Sequence, residues 1–137
     1  MNHFVIADDS PLARSFIIKL LRNTTISETH FTEASNGQEV LEYVQTNKVD
    51  VIFTDLTMPH TGGLELAKRL TSSTSAFPAK NIVVITSSGN QEERQELAAL
   101  GVQHILTKPV TQEQMNTVVA SLFKGKRKRK ERTPYGY

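Results

Sequence analysis

Five side chains in this sequence have the types and positions to do chemistry together: Asp8, Asp9, Asp55, Thr86 and Lys108. Three carboxylates held close repel one another, and burial raises their pKa values unless a cation compensates. A hard divalent ion with oxygen ligands answers that need, and Mg²⁺ fits because it takes a few carboxylates, waters and phosphate oxygens. Asp55 can then serve as a nucleophile that forms an aspartyl phosphate. The cation and the Lys108 ammonium neutralise the phosphoryl oxygens in transfer, and the Thr86 hydroxyl hydrogen-bonds one of them. Ser87 is small and leaves access.

These residues earn attention from where they fall. Val49-Asp50-Val51-Ile52-Phe53-Thr54-Asp55 reads as a strand covered on both faces that ends on a carboxylate. Pro59 bars its continuation and biases Met58 towards an extended conformation. Phe4 to Ala7 reads as a first strand closed by Asp8-Asp9, and Ser10-Pro11 as the cap and first position of a helix. Thr29 to Ala34 is a weaker, partly alternating strand of the kind found at a sheet edge. Asn36-Gly37 turns into a helix with Val40, Leu41 and Val44 on one side. After Gly62-Gly63 a third helix uses Leu64, Leu66, Ala67 and Leu70, and 71–78 reads as loop. Asn81 to Thr86 is the most strand-like run. Gln91 to Leu100 is a helix stopped by Gly101, Val102 to Thr107 a short fifth strand cut off by Lys108-Pro109, and Thr111 opens a last helix through Met115, Val118, Val119 and Leu122.

Five strands alternating with five helices imply an α/β fold, a doubly wound, five-stranded parallel sheet with right-handed crossovers. In such sheets, ligands bind at the carboxyl ends of the strands where strand order reverses. With order 2-1-3-4-5, the ends carrying Asp8-Asp9, Asp55, Thr86 and Lys108 are neighbours. Singly, each residue has an ordinary explanation: an Asp before a helix is usually a cap, and Asp55 ahead of Pro59 suits a turn. All of them on one edge of one sheet make a constellation.

Composition narrows the function. The 137 residues contain no cysteine, which excludes disulfides, thiolate metal sites and cysteine nucleophiles. No glycine-rich phosphate loop is present, and His3, His30, His60 and His104 show no metal-ligand spacing. The N-terminus lacks the features of a signal peptide, and no apolar run spans a bilayer, so a cytoplasmic location is expected. Residues 1–123 hold 9 Lys/Arg and 13 Asp/Glu, whereas 124–137 hold 7 Lys/Arg and only Glu131. The net charge of +2 thus combines an acidic body with a basic tail.

Over residues 3–123 the chain resembles the receiver domain of two-component response regulators, a flavodoxin-like fold. The resemblance rests on Asp8-Asp9-Ser10, Asp55-Leu56-Thr57-Met58-Pro59 with Gly63, Thr86-Ser87, and Lys108-Pro109. It implies that Asp55 is the phosphoacceptor. It also implies that Asp9, Asp55 and the Thr57 carbonyl bind Mg²⁺ directly, and Asp8 through water. Thr86 becomes the switch hydroxyl and Lys108 the phosphate partner, with a Lys108-Pro109 peptide that is commonly cis. Such a domain takes phosphate from a histidine kinase, a phosphotransfer protein or a small phosphodonor, and hydrolyses it slowly. It is a signalling module rather than an enzyme.

The chain departs from the family pattern at Ile105, where an aromatic residue is frequent, and at Thr61, where a large apolar one is. Thr57 and Ser88 hold variable positions that tune phosphoryl lifetime. The resemblance implies a receiver domain over 1–123 of the stand-alone chemotaxis or phosphorelay type, signalling to a downstream protein through the face at 90–123. The tail at 124–137 reads as a flexible solvated extension; an acidic partner, an anionic membrane or nucleic acid are its alternative contacts. A phosphatase of the haloacid dehalogenase kind is the rival function, but Thr57 stands where that family places a second Asp.

Overall fold

A computed structural model describes residues 1–72, 77–87 and 90–124. Ser88 and all of the basic tail beyond Lys124 lie outside the described residues. Strands β1 (Asn2–Ala7), β2 (Thr29–Ala34), β3 (Val51–Asp55), β4 (Ile82–Thr86) and β5 (His104–Thr107) alternate with helices α1 (Pro11–Arg22), α2 (Gly37–Thr46), α3 (Gly63–Leu70), α4 (Gln91–Leu100) and α5 (Gln112–Leu122). All four strand pairings are parallel, in the order β2-β1-β3-β4-β5. The order and the helix count are those expected from the sequence.

Strand alternation divides the core into two layers. Val5, Ala7, Ile52, Ile82 and Val84 face one side with Val40 of α2, Leu66, Ala67 and Leu70 of α3, and Leu97 of α4. Phe4, Ile6, Val51, Phe53, Val83 and Ile85 face the other, with Ile17, Leu20 and Leu21 of α1 and Met115, Val118 and Val119 of α5. Burial on both faces explains why β3 and β4 read as unbroken apolar runs. β2, at the edge, is only partly buried, as its mixed sequence implies.

The helix starts follow local chemistry. Ser10 Oγ accepts from the Ala13 N–H at 3.2 Å, with Pro11 at the first helical position. Asn36 caps α2 and Asn90 caps α4. Thr111 and Gln114 form a reciprocal capping box on α5. Gly101 ends α4 at φ 101°, the left-handed conformation that glycine adopts without cost.

Four strand boundaries differ from expectation, the simplest being β3, which begins at Val51 rather than Val49. β1 begins at Asn2, because Asn2 and His3 register with Thr29 and His30 of β2. β5 begins at His104 rather than Val102, because the Val102 N–H closes α4 onto the Leu97 carbonyl at 3.1 Å. A 3₁₀ turn over Ala79–Asn81 takes Asn81 out of β4.

The turn after β3 positions the site. The Gly63 N–H donates to the Leu56 carbonyl at 2.8 Å, closing the intervening loop at its base. A Cβ on Gly63 would lie 2.5 Å from the Asp55 carbonyl oxygen and 3.0 Å from Leu56 Cα. Both are backbone atoms that cannot swing away. Gly63→Ala is therefore expected to destabilise the fold by about 1–3 kcal/mol, the range of an overpacked site, read as a lower urea midpoint at unchanged slope.

Candidate functional site

The carboxyl ends of the strands bring the predicted residues together. One carboxylate oxygen from each of Asp8, Asp9 and Asp55 lies within 4.8 Å of the other two. Asp8 is buried, Asp55 half-buried and Asp9 exposed. From β5's end, Lys108 Nζ reaches Asp8 Oδ2 at 3.0 Å and Asp55 Oδ2 at 3.6 Å. One ammonium thus bridges two carboxylates from different strands.

Main-chain donors fix the acids. The Leu56 N–H donates to Asp55 Oδ1 at 2.9 Å, leaving Oδ2 turned towards Lys108. The Ser10 N–H donates to Asp8 Oδ1 at 2.9 Å, so the start of α1 holds the carboxylate that Lys108 also grips. Arg14, one turn into α1, donates from Nη1 to the Asp8 carbonyl at 2.6 Å and pairs through Nε with Glu33 at 2.8 Å. The sequence reading did not assign Arg14 a part, and only its position four residues after the cap hints at one.

Thr86 is buried at the end of β4, one step beyond Ile85, the register partner of Asp55. Its carbonyl accepts from the Lys108 N–H at 2.8 Å, which ties the two chain segments together. The Lys108-Pro109 peptide is cis. Thr57 is exposed in the loop after Asp55, and Ser87 is exposed beyond Thr86. Ile105 packs into the α2–α4 layer and Leu106 into the opposite one, as alternation requires.

Electrostatics follow from this geometry. Burial and the neighbouring Asp8 charge push Asp55 above the ordinary carboxylate range, and Lys108 and the Leu56 N–H only partly oppose them. Burial works to lower the Lys108 ammonium, but its hydrogen bond to Asp8 and the Asp55 charge outweigh that and hold it above its usual value. Three carboxylates against one ammonium leave net negative charge in an all-oxygen donor set. That chemistry fits a hard cation such as Mg²⁺, whose charge would relieve the repulsion.

The model of the response regulator receiver domain family matches residues 4–120. The Escherichia coli response regulator UvrY is 26% identical over 127 residues, 93% of this chain and 56% of UvrY. The E. coli sensor protein EvgS is 30% identical over 118 residues, 86% of this chain and 9% of EvgS. The chain therefore spans about half, or far less, of the length of these relatives. Among solved structures, the receiver domain of Francisella response regulator 1452 superposes with a TM-score of 0.74 at 28% identity, covering 92% of this chain and 99% of that one. Vibrio cholerae chemotaxis protein CheY4 does so with a TM-score of 0.74 at 25% identity, covering 89% and 98%.

The raised Asp55 pKa has a sign that can be tested. The folded state binds this proton more tightly than the unfolded state does, so the stability it lends is complete below the ordinary carboxylate range. That stability is lost as pH rises through the raised value. In chelator, Asp55→Asn is therefore expected to be more stable than wild type at pH 7, with the gap closing as pH falls through the carboxylate range. Thermal melts of both proteins from pH 3 to pH 8 check this. With an apolar-strand scaffold, a carboxylate cluster bridged by a lysine and a family match over nearly the whole body, the chain belongs to the response regulator receiver domain family.

Proposed function

We propose that this receiver domain is a phosphoacceptor switch of a two-component system, phosphorylated on Asp55 in the presence of Mg²⁺ and signalling through protein–protein contact. The observation that carries this reading is the bridging of Asp8 and Asp55 by Lys108 beside Asp9. Asp9, Asp55 and the Thr57 carbonyl would hold the ion directly, and Asp8 through water. When bound, Mg²⁺ supplies positive charge against the phosphoryl oxygens.

The chain's own residues do the rest. The Leu56 N–H orients the Asp55 carboxylate. An Asp55 oxygen forms a bond to phosphorus as the phosphorus–nitrogen bond of a phosphohistidine, or the phosphorus–oxygen bond of an acyl phosphate, breaks. The electron pair leaves with the imidazole nitrogen or the acyl oxygen. Lys108 neutralises one phosphoryl oxygen, and the Thr86 hydroxyl donates to another. Phosphate draws Lys108 from Asp8, a change that the Lys108 N–H to Thr86 link carries into β4 and β5.

Receiver domains interact with histidine kinases or phosphotransfer proteins, and such a protein is the donor we assign. The downstream contact falls on the face at 90–123. In support, α4 buries only Leu97, so this helix is lightly held and suited to shifting. Among the described residues no helix is long and apolar enough to cross a membrane, and we assign the domain to the cytoplasm. The basic tail at 124–137 is a candidate contact for an acidic partner, a membrane surface or nucleic acid. Slow self-hydrolysis of the phosphoaspartate, rather than turnover of phosphoesters, is the expected activity.

Intact-mass measurement after incubation with acetyl phosphate and Mg²⁺ tests the proposal. Wild type is expected to gain one phosphoryl group, and Asp55→Asn or chelated wild type none. Mg²⁺ at a hundredfold excess over its Kd should also stabilise wild type by about 2.7 kcal/mol. Repeated turnover on phosphoesters would favour the phosphatase reading instead.

A further inference from the structure

The loop between β3 and α3 carries two residues in the left-handed region, His60 at φ 50° and Thr61 at φ 91°. Neither is glycine, and Thr61 is β-branched, so its conformation is a rare one that persists only where its surroundings impose it. The surroundings that do so come from a distant part of the chain. At the start of α2, the Gly37 N–H donates to the Thr61 carbonyl at 2.9 Å. The approach is so close that a Cβ on Gly37 would lie 2.6 Å from the Thr61 carbonyl oxygen, 2.8 Å from Thr61 Cγ2 and 3.0 Å from Thr61 Cβ. Only glycine fits there. Asn36, whose side chain caps α2 through the Glu39 N–H at 2.9 Å, fixes the donor in place.

The loop is thus held at both of its ends. Its base is closed by Gly63 on Leu56, whose own N–H orients Asp55. Its far end is held by Gly37. Thr57 lies between these two fixed points, one of the residues that would hold Mg²⁺. We propose that Gly37 is a positioning residue for the metal-binding loop: its contact with the Thr61 backbone holds the loop in the form that binds Mg²⁺. The inference rests on the proposed Mg²⁺-dependent switch and adds α2 to the elements that set its metal affinity.

Calorimetric titration of Mg²⁺ into wild type, Gly37→Ala and Gly37→Ala/Thr61→Gly tests this. Gly37→Ala is expected to weaken Mg²⁺ binding by roughly tenfold or more, as loss of an outer support of a metal ligand typically does. Adding Thr61→Gly removes two of the three close contacts and relieves the strained φ, and should restore part of the affinity. Ile17→Val, in the opposite core layer, lowers stability without touching the loop and should leave Mg²⁺ affinity unchanged. Should Gly37→Ala fail to fold, wild type alone still answers, because coupling is reciprocal: Mg²⁺ must slow hydrogen exchange of the Gly37 amide. Wild type that binds Mg²⁺ while Gly37→Ala binds within twofold of it, or while the Gly37 amide is indifferent to Mg²⁺, would overturn the proposal. Wild type that binds no Mg²⁺ would instead overturn the switch on which it rests.

Discussion

Lys108 sits between two carboxylates that would otherwise repel, and much of the rest of the fold exists to bring the three together. Asp8 follows β1, Asp55 ends β3 and Lys108 follows β5, so their meeting requires every strand between them to be in register. The contact spans one hundred residues of sequence. One cation cannot balance three acids, however, and the shortfall appears as an Asp55 carboxyl pushed up by burial and by Asp8. The site therefore stores an unmet demand for positive charge. A divalent ion or the loss of an acid's charge would each relieve it.

The scaffold tolerates that demand because its core is otherwise complete. Both faces of β3 and β4 are sealed by apolar side chains, and the buried polar groups of the described residues have partners. The lightly held parts lie elsewhere. α4 fully buries only Leu97, with Leu100 packed partly against the same layer.

The sequence foretold the sheet because its central strands are buried on both faces and announce themselves as apolar runs. The convergence of Asp8, Asp9, Asp55 and Lys108 followed from the sheet, since a parallel order puts all carboxyl ends on one edge. What the sequence hid were contacts between segments that share no pattern. Gly37 looked like a turn former, and nothing in a linear reading ties it to Thr61. Arg14 carries no motif, and only α1's seating brings it to the Asp8 carbonyl and Glu33. The ends of β1 and β5 shifted for similar reasons, because Asn2 found a partner in β2 and Val102 was spent on closing α4.

Burial and the Asp8 charge both work against an ionised Asp55, and a bound cation would offset them. The most direct measurement is the titration of its side-chain carboxyl carbon by NMR, in chelator and again with saturating Mg²⁺. A midpoint above the ordinary aspartate value in chelator and a clear fall when Mg²⁺ is added are expected. An ordinary midpoint that Mg²⁺ does not move would contradict that expectation, leaving the three carboxylates as neighbours without a common task.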